Sequence, residues 1–233
     1  CIRNTTTDHF ASIAPDEFVD PLVWCELIRQ WSTLHPEFAF LPRKFKIAVS
    51  GAVSDRAAVG VHDIGLQAIR QDGELGFRVW VGGGLGRTPI VGQLIGKFVP
   101  WQHLLTYMQA VLRVYNLHGR RDNKYKARIK ILVKELTPEV FAEQVEAEWA
   151  FIKNGPDTIT SEQVDIVAAR FTYPEYVAEP GEDDTASHAA TDPAFRAWLR
   201  TNRHPHKIAG YAAVTVSLKA TGVPPGDITA DQM

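Results

Sequence analysis

The spacing of apolar residues changes along the chain, and each change marks an element. Behind Asp20-Pro21, a capping residue followed by a proline suited to the first helical position, Trp24, Leu27, Ile28, Trp31 and Leu34 recur at helical spacing. From Lys44 to Val49 the period drops to two. Phe45, Ile47 and Val49 share one face of a strand, and Lys44, Lys46 and Ala48 share the other. Residues 62–69 and 77–81 read as two further strands joined through Gln71-Asp72-Gly73-Glu74, because Asp-Gly is a strong hairpin signal. Trp101, Leu104, Leu105, Met108, Val111, Leu112 and Tyr115 form an amphipathic stripe that Gly119 stops. The segment after it turns helical near Lys126, and Pro138 opens a helix with Phe141, Val145, Trp149 and Ile152 on one face. Further on, 195–198 looks helical and 210–219 looks like a strand. Strands and helices mix without regular alternation, which predicts an α+β fold.

Composition narrows the class. The chain has 233 residues and is 45% hydrophobic, enough for one large domain or one domain and part of another. A net charge of −2 creates no global field toward nucleic acid or membrane, and no apolar run approaches the length of a membrane span. Cys1 and Cys25 are the only cysteines and lack metal-type spacing. A disulfide scaffold is therefore excluded, a reducing cytoplasmic location is the default, and no metal ligand is assigned. The chain opens on Cys1 without a signal peptide and closes at Met233 within TADQM, which reads as a helix start. Both ends read as cut, as in an internal fragment of a longer protein.

Charge is unevenly distributed. Arg43, Lys44 and Lys46 crowd the start of the predicted strand with no acid to pair them. Two lysines two residues apart project side by side, roughly 7 Å apart at the backbone. Such a pair can close on a small anion, although a basic edge that blunts aggregation has the same pattern. A second run, Arg120, Arg121, Lys124, Lys126, Arg128, Lys130 and Lys134, is relieved by Asp122 alone. It suits a nucleic-acid face, a solvated helix end, or arginines that fork onto the carboxylates of a bound cofactor. Residues 174–193 are the reverse: Glu175, Glu179, Glu182, Asp183, Asp184 and Asp192, with Pro180 and Gly181 and no base, read as a solvated linker. The Gly82-Gly83-Gly84-Leu85-Gly86-Arg87 run fits neither a dinucleotide fingerprint nor a Walker loop. It is either a bulged turn or a backbone approach to an anionic ligand. The eight histidines are scattered, and no hydrolase triad can be assembled.

Six motifs follow one another in order: CIRNTTTD, LPRKFKIAVSG, HDIGL, VGGGLGRTP, GRRDNKYKARIK and HKIAGYAAVTVSLKATGVPPGDITADQM. Together they resemble the sirohaem-dependent sulfite and nitrite reductases, in particular the bacterial assimilatory sulfite reductase haemoproteins. The resemblance covers nearly the whole chain and is weakest near 175–195. It implies a first sirohaem-binding repeat domain over 1–153, a helical segment and acidic linker over 154–194, and the truncated start of a second, ferredoxin-like half-domain over 195–233. It implies an oxidoreductase that reduces sulfite to sulfide with six electrons in sulfur assimilation, using sirohaem coupled to a [4Fe–4S] cluster. The electron donor would be a flavoprotein subunit or a ferredoxin.

Carried over by motif, Arg3, Lys44 and Lys46 would bind the oxyanion and supply protons. Asn4, Arg43, Gly82, Gly83, Gly84, Gly86, Arg87, Arg121, Asn123 and Arg128 would line the cofactor. Nitrite reductases of the family tend to carry asparagine where Lys46 stands, so Lys46 favours sulfite over the alternative substrate, nitrite. The family's Cys-x5-Cys and Cys-x3-Cys cluster ligands are absent from this chain, which alone should neither hold the cluster nor turn over. A non-catalytic nucleic-acid module built on residues 120–134 and an inert folded fragment stand as readings of another class; nucleic acid is not the expected partner.

Overall fold

Five strands in chain order make the central sheet: β1 (Ile2–Thr6), β2 (Phe45–Ser50), β3 (Ile64–Gln71), β4 (Glu74–Val81) and β5 (Gln93–Pro100). The computed structural model describes residues 2–177, 181, 183–219, 222 and 224–232. Cys1 of the first motif, Glu179, Pro180 and Glu182 of the acidic stretch, and Met233 lie outside the described residues. β1, β2 and β3 run parallel, whereas β3, β4 and β5 form an antiparallel meander. A parallel pair needs a crossover. Helix α1 (Pro21–Ser32) supplies the one between β1 and β2, and it starts as expected, with the Asp20 carboxylate accepting the Leu22 N–H and Pro21 in the first turn. The meander turns at Asp72 (φ 51°) and Gly73 (φ 85°), the left-handed pair that a two-residue hairpin loop requires.

Phe45, Ile47 and Val49 of β2 join Ile64, Leu66, Phe77, Val79 and Val81 in the main core. This face packs on α2 (Leu104–His118), which is buried along nearly its whole length because α4 (Pro138–Ile152) covers its other side. The other face is charged and open only at its start. Lys44 is exposed and Lys46 half-buried, but Ala48 is fully buried under the 51–63 connection. There Ala48, Ala57 and Val59 form a small second cluster against Trp80. Gly65 makes that cover possible: a Cβ on it would stand 2.2 Å from the Val59 carbonyl oxygen.

Several boundaries differ from those the periodicity suggests. β1 and β5 carry no clear alternation and emerge only through pairing. Gly119 ends α2 with φ −64°, so its role is close approach rather than left-handed backbone; a Cβ would meet the Tyr115 oxygen at 2.5 Å and Pro42 at 2.8 Å. The next helix, α3 (Ile129–Leu136), begins after Lys126 because the Asn123 side chain accepts the Tyr125 N–H and closes a turn first. Beyond residue 153, α5 (Ser161–Ala168) opens with a capping box between Thr160 and Gln163. Ile159 and Val167 bury into the same core, so the first compact unit runs to Tyr173.

The second unit comprises Ile13–Pro15 and Pro174–Met233. Part of the acidic stretch is helical, as α6 (Thr185–Thr191), and Asp192 caps α7 (Pro193–Asn202) through the Ala194 and Phe195 N–H groups. Its two strands are short, β6 (Arg203–Pro205) and β7 (Ala212–Val214), the latter a fraction of the strand expected over 210–219. Among the described residues, no helix is long and apolar enough to cross a membrane.

Candidate functional site

The cations singled out by motif converge at one end of the β1–β2 pair. Parallel pairing sets Asn4 opposite Lys46 and Ile2 opposite Phe45, with a register shift between them that leaves Arg3 as the bulged residue. Bulges re-aim side chains where they occur. Lys46 of β2 and Lys44, immediately before the strand, occupy alternate positions, while Phe45 and Ile47, fully buried, anchor the strand from its other face. Neither lysine has an acidic partner among the described residues. The proton affinity of Lys44 is depressed, most by Lys46 and then by Arg128, with desolvation, Arg3 and Arg43 adding to it. Four other cations therefore act on one ammonium, an electrostatic arrangement that an anion would relieve.

Arg128 reaches this cluster from the N-cap position of α3. Its guanidinium donates from Nε (3.1 Å) and Nη2 (2.6 Å) to Oδ1 of Asp63, whose Oδ2 accepts the Lys46 backbone N–H at 2.9 Å. Asp63 is 1% exposed. Burial pushes its carboxyl above the ordinary range, against the opposing pull of Arg128.

The glycine run sits behind Arg128. Residues 82–84 are buried, and two of their amides are spent inside the chain: Gly82 donates to the Asp63 carbonyl and Gly84 to that of Ile90. Gly83 packs so closely that a Cβ would lie 2.4 Å from the Gly60 oxygen, and a Cβ on Gly84 would touch the Arg128 guanidinium at 3.0 Å. The run thus makes room for the chain's own groups. The bridge between Gly84 and Ile90 closes an exposed loop over 85–89 that carries Gly86 (φ +99°, with open space at its missing Cβ) and Arg87. Lys130, buried beneath it, donates to the Thr88 carbonyl, and burial lowers its proton affinity.

Arg120 and Arg121 of the basic run are engaged locally. Arg121 donates to the carbonyls of Phe40 and Asn116 and to the Asn116 side chain, so it ties the end of α2 to the 36–42 turn. Arg120 pairs with Asp122, and Asn123 closes its own turn. The structure therefore brings together Arg3, Arg43, Lys44, Lys46 and Arg128, sets Asn4 beside Lys46, and puts Arg87 on a neighbouring loop. Asp63 is not singled out by sequence, and Lys130 stands there only as one member of the second basic run. Asp63 stands in a quoted motif, HDIGL, but an acid at a strand start carries no signal of its partners.

A cation cluster with one buried carboxylate suits a ligand rich in carboxylates or an oxyanion. The same residues do not suit an iron–sulfur cluster. Among the described residues, no three His, Cys, Asp or Glu side chains are grouped to hold a metal. The Cys25 thiol, beside a cavity of about 530 Å³ flanking β1, is pushed up to about 12 by burial and by Asp20, far from the thiolate a cluster needs.

Comparison with known proteins bears on this geometry. Residues 1–153 match the family model described as the nitrite and sulphite reductase 4Fe-4S domain. The chain is 34% identical over 150 residues to sulfite reductase [ferredoxin] 1 of Mycolicibacterium paratuberculosis, covering 64% of this chain and 27% of that protein. It is 31% identical over 150 residues to the ferredoxin–nitrite reductase of Synechococcus elongatus, covering 62% of this chain and 29% of that one. Among solved structures, the Mycobacterium tuberculosis NirA protein superposes with a TM-score of 0.60 at 32% identity, over 65% of this chain and 28% of that chain. The chain thus spans little more than a quarter of the length of these relatives.

Proposed function

The chain belongs to the nitrite and sulphite reductase family, and from that premise we propose that it forms the oxyanion-binding part of a sirohaem-dependent sulfite reductase. The observation that carries this reading is the β1–β2 pairing, which sets Arg3 beside two lysines that have no acidic partner among the described residues. Sirohaem, when bound, supplies electrons to the sulfur of sulfite. Arg3, Lys44 and Lys46 hold the sulfite oxygens. Each sulfur–oxygen bond that breaks takes up two electrons and two protons and releases its oxygen as water. Lys44 suits proton delivery because its neighbours depress its proton affinity before the anion arrives. As negative charge builds on the departing oxygen, the neighbouring cations stabilise it, one proton moves to it from Nζ of Lys44, and solvent supplies the second proton and reprotonates the neutral amine.

Arg43, Arg87 and Asn4 are the side chains we assign to the carboxylates of the macrocycle, whereas Arg128, held by Asp63 along one edge of its guanidinium, would turn its other edge to the oxyanion. Gly84 seats Arg128, Gly82 and Gly83 pack against Val133 and the Gly60 and His62 backbone, and Arg121 and Asn123 shape the loop from which Arg128 emerges. The [4Fe–4S] cluster does not fit the residues of this chain, and we derive no step through it. Electrons come from a partner, a ferredoxin or a flavoprotein subunit.

Nitrite is the second substrate to weigh, since a nitrite reductase stands among the relatives at similar identity. Substituting Lys46→Asn in the full-length reductase separates the two. Sulfite turnover should fall by at least about tenfold more than nitrite turnover, the scale of one lost charge-assisted contact. An equal fall would remove the assignment to sulfite.

A further inference from the structure

We infer that Asp63 is the positioning residue of the anion site: its carboxylate fixes Arg128 and the Lys46 backbone to one another so that both face the same ligand. The inference rests on the reading of the cation cluster as an oxyanion site. Asp63 contacts three of the chain's motifs at once. Oδ2 takes the Lys46 N–H from β2, Oδ1 takes Nε and Nη2 of Arg128, and its own carbonyl takes the Gly82 N–H. All of its side-chain contacts call for acceptor oxygens, which suits a carboxylate.

Arg128 approaches Asp63 by one edge of its guanidinium. The opposite edge, with Nη1, has no partner among the described residues and is left for an anion. Gly84 allows this orientation, since a side chain there would press on the guanidinium. A buried ion pair adds little to stability compared with apolar packing of the same volume. Holding a direction is therefore a better account of its presence than holding the fold.

Positioning and bulk electrostatics predict opposite signs. Asp63→Asn removes a negative charge from beside Arg128, so charge alone would tighten anion binding. It also turns one acceptor into an amide donor facing Arg128, so loss of orientation would weaken it. The test is a sulfite titration of the 233-residue chain at constant ionic strength, followed by calorimetry and by the Nε–H resonance of Arg128, with sulfate as a second probe. We expect Asp63→Asn to weaken sulfite binding by about tenfold, the scale of one charge-assisted hydrogen bond. Arg128→Gln should weaken it similarly, and the double variant should be no weaker than Arg128→Gln alone, because Asp63 acts through Arg128.

Unchanged or tighter binding by Asp63→Asn, or additive losses in the double variant, would overturn the inference and leave the anion site standing. No sulfite binding by the unsubstituted chain would remove both. If Asp63→Asn does not fold, the unsubstituted chain still decides: the Arg128 resonance must shift on adding sulfite, and a stationary one rejects the proposal.

Discussion

Replacing Gly65 by alanine places a methyl group 2.2 Å from the Val59 carbonyl oxygen and 2.6 Å from its carbonyl carbon. Ordinary contact begins near 3.4 Å, so the Val59 backbone must retreat by about 1 Å. It has little room to do so. The turn it belongs to, Val59–Val61, is held by the Val61 N–H on Ala58, and the Gly60 carbonyl accepts the Gly92 N–H at 2.7 Å while Gly83 packs against the same oxygen. Displacing it opens the Ala48, Ala57 and Val59 cluster and pulls on the segment that leads into Asp63. Overpacking of this kind costs about 1–3 kcal/mol, and the backbone partners put this case at the upper end. For a unit of this size that corresponds to a fall of about 5–10 °C in Tm. Differential scanning calorimetry reads it directly, with Gly73→Ala as the comparison. Gly73 has φ +85° and nothing within 4 Å of its missing Cβ, so its substitution brings only backbone strain, about 1 kcal/mol. A Gly65→Ala chain that melts within about 2 °C of the parent, or no lower than Gly73→Ala, would refute the cover over this face of the sheet as drawn.

Lys44 should titrate below an ordinary lysine in a carbon-13 NMR titration of its Cε, and sulfite should move it back up. Because its pKa is lower folded than unfolded, the unfolded chain binds the extra proton between the two values, so this residue makes stability rise with pH across that window. A normal Lys44 titration would mean that the five cations do not share a site. Thr160→Ala removes the Thr160 half of the capping box, in which the Thr160 oxygen accepts the Gln163 N–H and the Gln163 side chain accepts the Thr160 N–H. The loss should be about 1 kcal/mol, visible as faster amide exchange along α5 with α2 and α4 unchanged; uniform acceleration across all three helices would show that α5 is not a separate opening unit.

The parts of the fold that could be read from sequence are those fixed by local rules. Asp20-Pro21 starts α1, Asp72-Gly73 turns the hairpin, and the stripe from Leu104 to Tyr115 buries against the sheet, because each depends on neighbours a few positions away. β1 was missed since Ile2–Thr6 is polar at alternate and adjacent positions alike, and only pairing with β2 makes it a strand. The same division runs through the site. Lys44 and Lys46 were legible because two unpaired lysines at strand spacing raise an electrostatic question in the sequence itself. Asp63 raises none: it is one acid among many, and its partners lie 17 and 65 positions away. The glycine run shows how a pattern that suggests a ligand can have another cause in the fold. Three glycines suggest an open approach for a ligand, but two of the three amides are spent within the chain and the missing side chains make room for the Gly60 carbonyl and the Arg128 guanidinium. Any part the run plays in the proposed anion site is therefore indirect. It lets a cation and its buried carboxylate occupy volume that any other residue would fill, so the positive edge of the site is set by an absence of side chains that only the assembled fold gives meaning.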